Sequence, residues 1–460
     1  MPPTATLAKF IASLKYADLP EEVVNKTKDT ILDTLGCGLA GYRLAEEEIK
    51  PLLELVIENG GQRDATIFGK GTKTTCLNAA LVNSVIAHTI DFDDTHVPAL
   101  AHFGSCTVPV ALALAEKIGA TGKDIITALV AGFEAGGRVG RSVMPTHYEK
   151  WHSTATNGTI AAAGTAARLL NLNPIETEMT LGMAADQAAG GRYCLDHGDF
   201  TKSLHPGKAA FNGLLSALLV QKGAVGPRGF FEYPTGYCNV YSAQPAPGKI
   251  TENLGNPFEI MVNDVKVYPT ILCSHTPIQA ALGIVQQHNI SPENIEKINV
   301  TIAALPKGQG CNYAPDNALA ARLSIPYCVA LAVNEKNIIL ESFDLKKIHD
   351  PKIKKLMSKI NMLKDPELNK LMPALPAHVE IITKDGKSFK QYSPSPKGSV
   401  KNPMTREEIK GKFLGLALNT VKQSQADEII NVISQLEKFT IDKLTSHFKG
   451  SKSIKSSMVA

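Results

Sequence analysis

The run from Leu77 to Ile86 is mostly apolar, and the stretch that follows it, His88-Thr-Ile-Asp91-Phe-Asp93-Asp94-Thr95-His96, holds five titratable side chains in nine residues. A helix as apolar as the first segment is buried. Its end therefore carries carboxylates and imidazoles to the margin of a core. Such groups are costly to hold there unless they are paired or used. If the helix continues, Asp91 and Thr95 lie four residues apart on one face, and Asp91 and Asp94 are neighbours three apart. His102 follows in the loop Pro98-Ala-Leu-Ala-His-Phe-Gly104, which can fold back over the helix end. The functional reading is an acid/base cluster. The plain alternative is a helix cap and a solvated acidic helix end.

At 460 residues the chain is longer than one typical domain. A hydrophobic content of 44% against 20% charged residues suits a soluble protein with a large core. Alanine and glycine are plentiful and there is one Trp, so closely packed helices are expected. The net charge of +4 is too small to suggest nucleic acid as a partner. No apolar run is long enough to span a membrane, so none is expected as a partner. The eight cysteines contain no C-x-x-C pair, which leaves zinc ribbons and common iron–sulfur spacings without support. Scattered in apolar settings, they read as reduced core thiols. The N-terminal residues lack the pattern of a signal peptide, and cytoplasmic residence is the expectation.

Helical signals dominate up to about residue 260. Thr121-Gly-Lys-Asp124 is a capping-box-like start. Gly158 to Leu170 is rich in alanine. Asn173-Pro174 pairs an N-cap residue with proline at the first helical position, and Pro206 is read as opening a helix to about Gln221. Near residue 265 the pattern changes. Ile295 to Ile302 alternates as a strand does, and His378 to Tyr392 reads as a hairpin with a type I′ turn at Asp385-Gly386. Ser324 to Val333 and a lysine-rich stretch from Ile338 to Leu363 look helical, and helical patterns return from Thr405 to Leu444. The expected fold is mainly α: a large discontinuous all-α helical domain (residues 1–261 and 399–447) and a smaller α+β lid domain (262–398). A disordered tail is expected over 448–460.

Four further segments mix cations, imidazoles and hydroxyls at predicted helix starts or at the proposed boundary. Trp151-His152-Ser-Thr-Ala-Thr156-Asn-Gly158 precedes the alanine-rich helix, where backbone N–H groups favour an anion. Lys202-Ser-Leu-His205-Pro-Gly-Lys208 sets cations against a helix macrodipole, a cost that a bound anion would offset. Lys266-Val-Tyr268-Pro269 is followed by His275, and Arg322 by Ser324-Ile-Pro-Tyr327. The alternatives are ordinary caps, solvated basic loops and core packing by Tyr327. Gly69-Lys-Gly71 and Gly136-Gly-Arg-Val-Gly140 lie outside any βαβ pattern, and there is no Walker A or G-x-S-x-G motif. His88, Asp91, Asp93, Asp94 and His96 could also be read as metal ligands, a rival that predicts sensitivity to chelators.

Taken together, Ala87 to His96, Trp151 to Thr156, Lys202 to Lys208, Lys266 to Pro269 with His275, and Leu323 to Tyr327 resemble the MmgE/PrpD family, in the family's order and across about residues 5–445. That family includes 2-methylcitrate dehydratase, cis-aconitate decarboxylase and iminodisuccinate epimerase. The resemblance implies a discontinuous helical domain with an α+β lid, a homodimer, and neither cofactor nor metal. It assigns Asp91, Thr95, His102 and His152 to the chemistry. Lys202, Lys266, His275 and Tyr327 are assigned to a small carboxylate substrate, and Arg322 joins them as a basic residue suited to binding carboxylates. The decarboxylase branch has a further histidine shortly after the lysine matched by Lys266; here the segment reads Thr270-Ile271-Leu272.

Dehydration, decarboxylation and epimerisation beside a carboxylate all need a cationic pocket and a positioned acid and base. The expected activity is dehydration of a 2-methylcitrate-like hydroxy acid, with His102 or His152 moving the proton, Asp91 orienting its partner and Thr95 bonding the substrate. Epimerisation of an iminodisuccinate-like dicarboxylate is the runner-up, and cis-aconitate-type decarboxylation is a third reading. A ligand-binding protein without catalysis is the alternative of a different class.

Overall fold

A computed structural model describes residues 1–303, 310–371 and 374–451 of the chain. It is mainly helical, with small sheets. The chain forms two compact units. Of the described residues, one unit holds 1–192, 203–265 and 405–451; the other holds 193–202 and those within 266–404. Among the described residues no helix is long and apolar enough to cross a membrane. Seven of the eight cysteines are buried, and Cys311 is partly exposed.

The first unit is built from helices that small residues bring close together. Glycines on Gly122–Val143 and Ser153–Leu169 sit where no side chain fits. A Cβ at Gly136 would lie 2.6 Å from the Ala161 methyl, and one at Gly164 would lie 2.6 Å from that of Ala135. Thr121 and Asp124 make the expected reciprocal capping box, and Asn173 caps Pro174–Asp186. Pro206 does not open its helix, which runs Phe200–Gln221 with the proline inside. Lys202 consequently falls in the first turn rather than before it. The chain does not leave the fold after His447 either. Phe448 is buried edge-on against Phe68 at 5.2 Å, and Gly450 N–H donates to the Gly69 carbonyl at 2.7 Å. The disordered tail expected beyond that point lies, from residue 452, outside the described residues.

The second unit holds a four-stranded sheet in the order Ile360–Lys364, Ile295–Ile302, Ala377–Thr383, Ser388–Ser393. The first pair is parallel and the others antiparallel. His275–Gln287 packs against the last two strands of that order. Two expectations are corrected here. The lysine-rich stretch 338–363 is not one helix: Asp344 and Asp350-Pro351 each restart it as short helices, and Ile360–Lys364 is a strand. The hairpin turn is not type I′, because only Gly386 has positive φ (80°) while Asp385 does not. Gly386 N–H closes the turn on Thr383 O at 2.9 Å, and the glycine then forms the bulge that restores the ladder.

Candidate active site

Thr75 caps the helix Cys76–His88 by accepting from Asn78 N–H, and the helix buries nearly every residue of its second half. It stops at His88. Asp91 is in the left-handed region (φ 51°), and Thr95–His96 is a short strand paired with Asn263–Asp264. Asp91 and Thr95 therefore do not share a helix face. The loop between them instead turns its carboxylates back under the helix end. Lys412 braces this loop from the Arg406–Ala417 helix. Its ammonium donates to the Phe92 carbonyl at 2.8 Å, pairs with Asp33 at 2.6 Å and lies 4.1 Å from the Phe92 ring centre. Burial pushes the Asp33 carboxyl up, against the pull of Lys412.

The cluster itself is tightly bonded. His88 Nδ1 donates to Asp93 Oδ2 at 2.8 Å, with both side chains fully buried. His102 precedes the Phe103–Ile118 helix, and its Nδ1 donates to the Asp94 carbonyl at 2.6 Å. Thr95 Oγ1 lies 3.5 Å and Asp93 Oδ1 3.8 Å from the same nitrogen. In their neutral forms both imidazoles thus carry the proton on Nδ1 and the basic lone pair on Nε2. The two rings are 4.8 Å apart, and His152 lies 6.1 Å from His88. His152 in turn meets His205, Nδ1 to Nδ1, at 2.8 Å. Asp94 accepts from Gly104 N–H at 3.1 Å. Its carboxyl is pushed up to about 7, first by burial and then by the charges of Asp93 and Asp33. Gly104 is required by this contact, since a Cβ there would sit 2.1 Å from Asp94 Oδ1.

Asp91, Thr95, His102 and His152 are thus brought together in the first unit. His102 keeps some solvent access, at 13% side-chain exposure, while Asp91, Thr95 and His152 are buried. His88, Asp91 and His102 each offer a ligating atom within 4.8 Å of the others, so these three could hold a metal ion. His96 is drawn away: its Nε2 meets Glu259 at 2.8 Å, and Arg141 meets the same carboxylate at 2.9 Å. Burial works against the Glu259 charge, but His96 and Arg141 hold its carboxyl below the usual range.

The second unit carries Lys202, Lys266, His275, Arg322 and Tyr327, all buried. Gly198 abuts the Ala320 backbone, and Ile271 N–H donates to the Arg322 carbonyl at 3.0 Å. The segments 193–202, 266–275 and 318–322 are therefore neighbours. His275 begins its helix with Tyr268 edge-on at 5.2 Å, and the Arg322 guanidinium lies 5.5 Å from the Phe343 ring centre. The Tyr327 hydroxyl donates to the Ser342 carbonyl at 2.8 Å, a contact of core packing, and burial pushes its pKa up.

Sequence reasoning did not assign roles to Asp33, His205, Glu259 or Lys412. Asp33 lies in a small-residue apolar pattern, which is a signal of a buried charge. Lys412 sits in an ordinary polar helix and gives none.

The MmgE/PrpD N-terminal domain model matches residues 5–249, and the MmgE/PrpD C-terminal domain model matches 268–438. The chain is 26% identical to cis-aconitate decarboxylase of Aspergillus terreus over 465 aligned residues, covering 95% of this chain and 94% of the relative. Cis-aconitate decarboxylases of Mus musculus and Homo sapiens are also 26% identical, and cover 94% of this chain with 90% and 92% of their own lengths. The five motifs, their order and the two domain matches agree, and the chain belongs to the MmgE/PrpD family.

Proposed function

We propose that this protein is a lyase acting on a small tri- or dicarboxylate, by proton transfer at a carbon next to a carboxylate. The observation that carries the reading is the pair of imidazoles, the buried His88 and the partly exposed His102, each held as an Nδ1–H donor, beside Asp91, Thr95 and His152. A base with a fixed tautomer needs no reorganisation as the proton moves. His102, or His152, takes the proton. Asp93 orients His88, and Thr95 bonds the substrate. The family resemblance assigns the substrate carboxylates to Lys202, Lys266, His275 and Tyr327, and the charge of Arg322 suits the same task. The same reading takes the protein as a homodimer without a cofactor.

Within that class we favour dehydration of a 2-methylcitrate-like hydroxy acid. A C–H proton goes to the base, the C–H electron pair forms the new double bond, and the β-hydroxyl takes a proton from the acid of the pair and leaves as water. Thr270-Ile271-Leu272, where the decarboxylase branch has a histidine, supports this choice. Decarboxylation is the second reading, supported by the relatives named above. The test is an NMR assay in D₂O, with EDTA present, against 2-methylcitrate, citrate, cis-aconitate and iminodisuccinate. A new vinylic proton from a hydroxy acid is the expected result. Carbon dioxide with itaconate signals would replace dehydration by decarboxylation. Deuterium at a stereocentre without elimination would replace it by epimerisation. Loss of turnover with EDTA, restored by a divalent ion, would overturn the cofactor-free reading.

A further inference from the structure

The contact between His152 and His205 imposes a count on protons. Their Nδ1 atoms are 2.8 Å apart, and the two residues are 2% and 5% exposed. Two nitrogens at that distance hold one proton between them. If both bore one, two N–H groups would point at each other in a buried site; if neither did, two lone pairs would.

The neutral pair therefore exists in two linked forms. In one, His152 donates from Nδ1 and has a basic Nε2. In the other, His205 donates and His152 carries its proton on Nε2. The backbone beside the pair is held in place. His152 N–H donates to the Gly190 carbonyl at 3.0 Å. Gly190 also makes room for the partner ring, since a Cβ there would lie 3.2 Å from His205 Nε2 and 2.3 Å from the Ala155 methyl.

We propose that His205 is a positioning residue that sets the tautomer of His152 and shares the charge it gains in turnover. This rests on the reading of His152 as part of the proton-handling site. In the forward step the substrate C–H proton passes to His152 Nε2, and the bonding electron pair stays on the substrate as an enolate-like carbanion. The pair then holds three N–H protons instead of two. The positive charge is spread by moving the bridging proton from His152 Nδ1 to His205 Nδ1. Return of the proton reverses both moves. A fourth proton is excluded, so the pair never becomes doubly cationic. His88, a further imidazole near His152, has its proton held by Asp93.

The test uses the full-length protein labelled with ¹⁵N at histidine, with H205N and H205A beside the wild type. Asparagine can present its side-chain amide near the position of Nδ1; alanine cannot. In the wild type, titration is expected to load at most one additional proton onto the two rings while the fold persists. Two imidazolium spectra at acidic pH in the folded protein would overturn the proposal. In H205A the titration of the His152 ring and the tautomer it holds are expected to change. The expected fall in kcat is about 10- to 100-fold, as for other supporting hydrogen bonds of this kind, with KM little changed. H205N is expected to recover most of that loss. Unchanged His152 spectra and an unchanged pH profile in H205A would overturn the proposal. The spectra need no substrate, so a wrong assignment of the reaction would leave this test of the pair intact.

Discussion

Replacing Asp94 by Asn removes a carboxyl that the native protein holds in the wrong charge state. Asp94 is fully buried, and its carboxyl is pushed from 3.8 to about 7 by burial and by the Asp93 and Asp33 charges. Between those two pH values the native protein keeps this proton and the unfolded chain has lost it. The native state then binds more protons than the unfolded state, so stability falls as pH rises. The Asp94 contribution is fully present below pH ~4 and is lost as pH passes through about 7. At about 1.4 kcal/mol per pH unit, the loss approaches roughly 4 kcal/mol at the alkaline end. The Asn side chain can still accept from Gly104 N–H, so D94N removes the charge and keeps the contact. We expect wild type and D94N to be of similar stability near pH ~4.5, and D94N to be the more stable by about 3–4 kcal/mol near pH ~8.5. Buried carboxyls that do not act on Asp94, such as Glu134, titrate in both proteins and cancel in the difference. Scanning calorimetry and urea titration across this range would measure the difference. Parallel curves, or a D94N protein that is less stable at alkaline pH, would refute the reasoning.

Three further outcomes follow from the same geometry. H102Q should lower turnover by about 10²–10⁴-fold with an unchanged circular dichroism spectrum, and near-wild-type turnover would remove His102 from the chemistry. G104A should destabilise the protein by about 1–3 kcal/mol, because its methyl would meet Asp94 Oδ1 at 2.1 Å and Thr34 Oγ1 at 2.7 Å; an unchanged melting temperature would contradict this. His147 donates from Nδ1 to the Tyr241 carbonyl at 3.1 Å and accepts from Thr156 at 2.8 Å, and burial pushes it down to about 4 from 6.5. Its contribution is present above pH 6.5 and is lost as pH falls towards about 4, roughly 3 kcal/mol that H147Q should remove from the acid limb of the stability profile.

Much of this was legible in the residues. The helix start at Thr121, the cap at Asn173 and the strand Ile295–Ile302 follow from local rules, and the structure has them where they were expected. The apolar helix leading into His88 pointed to the cluster, because burial and charge conflict there. The details that turn the cluster into a site are not local. Asp91 leaves the helix because the left-handed turn lets Asp93 reach His88 and lets Lys412 cap Phe92, a residue 320 positions away in sequence. Spacing alone suggested a helix face and missed that turn. The pairing of His152 with His205 spans 53 positions and leaves no periodic trace. The hairpin turn was misread because Asp-Gly also suits a type I turn with a glycine bulge. The stretch 338–363 was misread because short amphipathic helices and an edge strand share its lysine pattern.

The central claim is that this histidine and aspartate cluster moves a proton at a carbon beside a carboxylate. The most direct measurement is solvent deuterium exchange at that carbon, followed by NMR for each candidate carboxylate with wild-type and H102Q protein in parallel. We expect exchange or elimination with at least one substrate in the wild type, and its loss in H102Q. Equal exchange in both proteins would leave the proton transfer to His152 alone, and carboxylate binding without exchange in the wild type would contradict the assignment of proton transfer to this site.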